Sequence, residues 1–351
     1  MRWRLRPRPP ARHGGGPPVA AGGAGPIDLS ASLNPLGPSP AALAAARACE
    51  LGRYPEVDAG SLVEAATRRH RLPPGCVVPV PGASWGLWLC AVSLLRPGDV
   101  CLAVGPCFGE YERQAAMCGA RYREVRPSPL HAWPAEGLEA ALRRGASLCL
   151  IGNPSNPAGA AVPQDRLRRL CAAHPGTCFV IDEAFAAFAP EGTSLLDEGP
   201  PPANAIVVRS LTKELGLPGL RMGYLVAAPA AASVLTGVMP PWPLGAPALA
   251  AAVAGLADRG HVVAGAALGR RLVARLAGAL EAAGAAPCPS AANYLLARAP
   301  GAARALRARG VLVRDCASFG LPDHVRLAAP RPGDLEAVLE AIRSLGGGEH
   351  G

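Results

Sequence analysis

The sequence predicts an α/β protein, a mainly parallel sheet covered by helices on both faces with a smaller α+β unit after it. Three observations carry that reading. Short β-branched or apolar runs, each bounded by Gly, Pro or Asp, alternate with helical stretches as far as Val226, the pattern of strands buried on both faces. Past Pro243 a long Ala/Leu/Arg helical region takes over, and strands then return. The length of 351 residues, half of them apolar, suffices for one large unit and a smaller one, each around its own core.

Taken in order, residues 1–26 form an Arg/Pro/Gly-rich extension holding Arg2, Arg4, Arg6, Arg8 and Arg12. They lack an apolar h-region and so do not read as a secretory signal; either they are a flexible extension or the start site is placed too early. Residues 27–45 are expected to join the smaller unit. The large unit, 46–245, draws its strands from Val77–Val80, Val100–Val104, Leu148–Gly152, Cys178–Asp182, Ile206–Ser210 and Gly223–Val226. Residues 246–285 are the linking helical region. The unit 286–351 contributes strands at Asn293–Ala297, Val311–Arg314 and Val325–Ala328 and a last helix over Asp334–Leu345.

Composition removes several function classes. The formal charge of +9 comes partly from the tail and partly from helical segments such as Arg166, Arg168 and Arg169, with no basic patch interleaved with stacking aromatics, which argues against nucleic acid. The Ala-rich stretch Ala246–Ala257 is too short to span a bilayer and ends at Asp258-Arg259-Gly260, so no membrane partner is expected. Eleven cysteines spread from Cys49 to Cys316 without a C-x-x-C pair fit neither a disulfide framework nor a zinc site. A soluble, cytoplasmic protein with reduced thiols and no metal is the expectation.

Lys213 is the only lysine, and it stands directly after the apolar run Ile206–Ser210. A lysine at a strand end in a partly dry site can lose its proton and form an imine with an aldehyde. A surface lysine is the plain alternative. Asp182 ends the run Cys178-Phe179-Val180-Ile181, where a buried carboxylate could keep a cofactor ring nitrogen protonated, or could equally be a turn residue before Glu183. The loop Asn153-Pro154-Ser155-Asn156-Pro157 follows another strand, and two of the five asparagines fall in it; an amide held there can donate to a ring oxygen, though as a turn the loop needs no function. A phosphate calls for N–H groups at a helix start, hydroxyls and a fixed cation. Gly82-Ala83-Ser84, Ser210, Thr212 and Arg221 supply those types.

These pieces in this order resemble the fold-type I pyridoxal-phosphate (PLP) enzymes of the class I/II aminotransferase superfamily, in the branch holding histidinol-phosphate aminotransferase and threonine-phosphate decarboxylase of cobalamin biosynthesis. The most specific string is Ser210-Leu211-Thr212-Lys213 through Pro218-Gly219-Leu220-Arg221-Met222-Gly223-Tyr224. The resemblance implies a seven-stranded sheet, PLP on Lys213, Asp182 at the ring nitrogen and Asn156 at the ring oxygen. It further implies Ala83, Ser84, Ser210, Thr212 and Arg221 around the cofactor phosphate, and Phe108 stacked on the ring with Cys107 beside it as packing. Tyr54 in Arg53-Tyr54-Pro55 matches a residue reaching the phosphate of a neighbouring subunit, which implies a homodimer. Arg326 matches the arginine that grips a substrate carboxylate, and His13, Asn34 and Arg314 are candidates for a substrate phosphate.

Within that branch, His13-Gly14-Gly15, Ser30 through Gly37 and Pro240-Pro241-Trp242 are more similar to the decarboxylase, so L-threonine O-3-phosphate decarboxylation is the first expectation. Pro243-Leu244-Gly245 departs from the Ser-Val-Asn usual there. An aminotransferase acting on histidinol phosphate or another amino acid is the alternative, and a protein that binds PLP without turnover is a third.

Overall fold

The computed structural model describes residues 25–346. In chain order it begins β1 (Ile27–Asp28), α1 (Pro40–Ala48), α2 (Gly60–His70), β2 (Val77–Val80), α3 (Ala83–Leu94), β3 (Val100–Val104) and α4 (Glu110–Met117). It continues β4 (Arg121–Val125), α5 (Ala135–Arg143), β5 (Leu148–Gly152), α6 (Gln164–Ala173), β6 (Cys178–Asp182), β7 (Ala205–Ser210), α7 (Leu211–Glu214), β8 (Gly223–Val226) and α8 (Pro229–Val238). Next come α9 (Ala246–Ala257), α10 (Arg259–Ala282), β9 (Ala286–Pro287), β10 (Tyr294–Arg298), α11 (Ala302–Ala308), β11 (Val311–Leu312), β12 (Arg314–Asp315), β13 (His324–Ala328) and α12 (Leu335–Arg343).

Seven strands form the large sheet in the order β2-β8-β7-β6-β5-β3-β4, with β8 alone antiparallel to its neighbours. The seventh, β4, is absent from the apolar runs read in the sequence. Its residues Arg121-Tyr122-Arg123-Glu124-Val125 sit at the sheet edge with Arg121 and Arg123 exposed, and charge on an edge strand discourages pairing with another chain. Period-two alternation sends Val78, Val80, Val180, Ile206 and Val208 to the side packed by Leu87 of α3 and Leu235 of α8. Val77, Phe179, Ile181, Val207 and Val226 go to the side packed by Leu249 and Leu256 of α9. Each face is therefore dry, which is why these strands read as continuous apolar runs.

A four-stranded antiparallel sheet, β12-β13-β10-β9, packs on α10 and α12 through Leu272, Leu276, Leu280, Val338 and Ile342. β1 pairs in parallel with β11, so residues 27–28 are tied to this region. The run Val311–Arg314, expected as one strand, divides between β11 and β12, which join different sheets. The single linking region divides too. Asp258 ends α9 and caps α10, its carboxylate accepting from the His261 N–H at 3.4 Å and from Ser39 Oγ at 2.7 Å. Among the described residues no helix is long and apolar enough to cross a membrane.

Candidate active site

The parallel strands of the large sheet set the site. Register pairs Gly152 with Asp182 and Asp182 with Val208, so the carboxyl ends of β5, β6 and β7 open side by side, where open α/β sheets take their ligands. α3 begins beside them and α7 carries Lys213 just beyond β7. The result is a cavity of about 230 Å³ whose wall includes Ala83, Ser84, Phe108, Asn156, Asp182, Ser210, Thr212, Lys213, Arg221 and Arg326. Ten residues singled out from the sequence thus share one wall.

Lys213 is partly buried, with Nζ 5.8 Å from the Phe185 ring centre. Desolvation lowers its amine to a pKa of about 8, aided by the positive charges of Arg326 and Arg221 and opposed by Asp182. Burial raises the Asp182 carboxyl, and three things counter it: a 2.8 Å bond from Tyr111, the Ala184 N–H at 3.1 Å, and the charge of Lys213. An amine that is readily neutral thus faces a carboxylate held in place by donors.

At the other end, Gly82 caps α3 without a side chain, so N–H groups of the first turn, at Ala83 and Ser84, have no intrahelical acceptor. Ser210 Oγ and Thr212 Oγ1 lie 2.8 Å apart beside them. Arg221, in the left-handed region at φ 52°, lays its guanidinium against Gly82, where a Cβ would fall 2.7 Å from one of its nitrogens. N–H groups, hydroxyls and a cation converge as a phosphate requires. Of the two asparagines in the loop after β5, Asn153 is spent on the loop itself, bonding Val162 and Thr193. Asn156 Oδ1 accepts from Arg326 at 2.5 Å, which leaves its Nδ2 as the donor end.

Arg326 is buried, donates also to the Ser30 carbonyl at 2.6 Å and stacks over Tyr294 at 5.1 Å. Its Nε and the buried Ser32 Oγ have no partner, so two polar groups of the wall await one. Cys107 packs away from the chemistry. Its Sγ lies 3.1 Å from the Tyr122 hydroxyl, and burial next to Glu124 pushes the thiol up, which keeps it neutral.

Among the described residues, three predicted ones are not in this wall. Asn34 is buried, but its amide donates to the Glu214 carbonyl at 2.8 Å and accepts from the Leu36 N–H, so it braces the backbone beside Lys213. Arg314 bonds Ser318 at 2.7 Å and stacks on Phe319, away from the cavity. Tyr54 is 81% exposed and stacks on Trp242 at 4.8 Å, so neither it nor the Pro240-Pro241-Trp242 segment lines the cavity of its own chain. His13 lies outside the described residues. Sequence reading passed over Tyr111, Phe185 and Ser32, and a buried ionic group behind the cavity formed by Glu183, Arg209 and Glu214. Of these only Arg209 carried a signal, a charge inside an apolar strand.

The fold and this constellation define a PLP-dependent enzyme, and the cavity fits that cofactor on its own terms: a depressed amine, a braced carboxylate and a phosphate cradle in which Gly82 leaves room for Arg221. The chain belongs to the class I and II aminotransferases, whose family model matches residues 24–342. It is 35% identical over 330 residues to a histidinol-phosphate aminotransferase of Symbiobacterium thermophilum, covering 91% of this chain and 90% of that one. The PLP complex of the Sinorhizobium meliloti histidinol-phosphate aminotransferase superposes with a TM-score of 0.81 at 24% identity, covering 90% of this chain and 88% of that one. L-threonine-O-3-phosphate decarboxylase from Porphyromonas gingivalis gives 0.75 at 25%, covering 84% and 90%.

Proposed function

We propose that the protein transfers an amino group between an amino acid or amino phosphate and a 2-oxo acid, with histidinol phosphate as the first substrate to test. The observation carrying this reading is the meeting of Lys213, Asp182 and Arg326 in one cavity with a phosphate cradle at its end. Curated relatives 35–36% identical to this chain carry the name histidinol-phosphate aminotransferase, which weighs toward amino transfer rather than decarboxylation.

Bound PLP supplies an aldehyde and an electron sink. Lys213 Nζ is the amine that would hold it and, once freed, the base that would take the proton from the substrate Cα and deliver it to the former aldehyde carbon. A pKa near 8 suits both roles close to neutral pH. Asp182 would serve the ring nitrogen; burial raises its carboxyl, and the bonds from Tyr111 and the Ala184 N–H hold it in place and offset part of that rise. Asn156, through its Nδ2, would donate to the ring oxygen, and Phe108 would supply an aromatic face to the ring. Ala83, Ser84, Ser210, Thr212 and Arg221 hold the cofactor phosphate together with Tyr54 of the partner subunit. Arg326 would offer its planar guanidinium to the carboxylate of the acid partner and so help to orient it in the cavity.

Decarboxylation of threonine O-phosphate is a second reading, favoured by Ser30, Ala31 and Ser32 in the cavity wall, since they belong to the segment that resembles decarboxylases. One assay separates the two. Purified enzyme with histidinol phosphate and 2-oxoglutarate is followed for glutamate, and with threonine O-phosphate alone for carbon dioxide. Glutamate formation supports the first reading, whereas carbon dioxide without an acceptor replaces it with the second. In either case Lys213→Ala should lose the visible absorbance of the bound cofactor and at least about a hundredfold in rate; an unchanged spectrum refutes the cofactor assignment.

A further inference from the structure

Behind the cavity, on the other face of the sheet, a second set of charges lies next in the chain to residues of the wall: Glu183 after Asp182, Arg209 before Ser210 and Glu214 after Lys213. Strand side chains alternate between faces, so Asp182 and Ser210 turn to the cavity while Glu183 and Arg209 turn away. On α7, Glu214 follows Lys213 in the same way. Arg209 Nη1 donates to Glu183 Oε2 at 3.2 Å and Nη2 to Glu214 Oε2 at 3.4 Å. One guanidinium fork therefore joins the residue after Asp182 to the residue after Lys213.

The outer ends of this bridge are anchored. Glu183 accepts from Ser194 Oγ at 2.5 Å and from the Leu195 N–H at 2.7 Å. The Glu214 carbonyl accepts from Asn34. All three charged residues are buried. We propose that Arg209 is a positioning residue that sets the spacing of Lys213 and Asp182 across the cofactor by clamping Glu214 and Glu183 from behind. The proposal rests on the reading that Lys213 carries the cofactor.

Stability alone is a poor reason for such a group, because an apolar set of similar volume often does as well or better than a buried ionic triad. Geometry is a better one. A lysine at 209 would keep the charge but lacks the planar fork that reaches two carboxylates at once. Its other charged or titratable neighbours do not replace it. Arg69 is partly exposed, and Tyr224 is bonded to His70 at 2.7 Å. On the cavity side Lys213 faces Asp182, Arg221 and Arg326, none of which touches the clamp.

Two variants test the clamp in the PLP-loaded full-length protein. Arg209→Lys keeps charge and loses the bridge; Arg209→Met combined with Glu183→Gln and Glu214→Gln removes charge and bridge together and leaves no unpaired carboxylate. The readouts are the pH midpoint of the cofactor's visible absorbance, and kcat and KM with histidinol phosphate and 2-oxoglutarate. Both variants are expected to fold, to shift the absorbance midpoint by about half a pH unit or more, and to lose on the order of tenfold in kcat with KM changed less than about threefold. A folded variant with the wild-type midpoint overturns the proposal, as does failure of both variants to fold, which marks the triad as structural only. A wild-type protein without the visible band refutes instead the reading on which the proposal rests. A wild type with the band but no turnover of this substrate leaves the midpoint to decide.

Discussion

At the scale of single residues, the site works by pushing an amine and a carboxyl in directions that serve one another. Burial is the largest influence on Lys213, followed by Arg326 and Arg221, and Asp182 offsets only part of it. The folded amine therefore gives up its proton near pH 8, against 10.5 for an ordinary lysine. Only the neutral amine attacks an aldehyde, so recombination of the apoprotein with PLP should quicken as pH rises, reach half its plateau near pH 8 and level off above. Stopped-flow absorbance at fixed PLP across pH 6 to about 10 measures this; a half-rise at or above about pH 10, the ordinary lysine value, would show that the cavity does not desolvate Lys213. Burial raises the Asp182 carboxyl, and the Tyr111 hydroxyl offsets only part of that rise. The two groups sit 31 positions apart in sequence, Asp182 at the end of β6 and Lys213 on α7 just beyond the neighbouring β7, and their separation is what the Arg209 bridge governs.

At the scale of elements, the helix start at α3 and the loop after α7 meet because one residue has no side chain. Gly82, at φ 87° and ψ 162°, occupies backbone space that essentially only glycine adopts, and a Cβ there would strike the Arg221 guanidinium. Gly82→Ala should therefore cost about 1–3 kcal/mol of stability and weaken PLP binding on the order of tenfold. Thermal melts with and without PLP check it, and a variant that melts and binds as the wild type does would remove Arg221 from the phosphate cradle. Such contacts explain what could be read in advance. Val77–Val80, Val100–Val104 and Cys178–Asp182 are legible as strands because each is buried on both faces, whereas β4 hides its strand character behind edge arginines. Lys213 and Asp182 are legible as candidates because strand-end position and residue type are local facts, and the string Ser210 through Tyr224 carries the resemblance that gives them roles. The Tyr111 bond to Asp182 spans 71 positions and the Arg209 bridge joins three elements, so neither has a local signature. Asn34 is the converse case. The resemblance implies a substrate ligand there, and its packing on Glu214 shows a brace.

At the scale of the whole molecule, a single chain leaves its surface unfinished near the segment that the resemblance assigns to a neighbour. Tyr54 projects from the surface against Trp242, and Leu51 and Val57 beside it in sequence are 74% and 54% exposed, an apolar grouping that suits burial against a second copy. In a two-fold dimer whatever Tyr54 does for its partner, the partner's Tyr54 does in return. A cross-complementation experiment turns this symmetry into a count of sites. Tyr54→Ala and Lys213→Ala chains are given different tags, co-expressed and purified as hybrid dimers. If Tyr54 serves the neighbouring cavity, each hybrid holds one cavity with both Lys213 and a partner tyrosine, and a second lacking both. Activity at limiting PLP should then return to about half that of the wild-type dimer, from parents that are each at least about tenfold down. If Tyr54 serves its own chain, every cavity in the hybrid lacks one residue and no activity returns. A monomer in sedimentation at working concentration would end the matter earlier, because no cavity could then borrow a tyrosine.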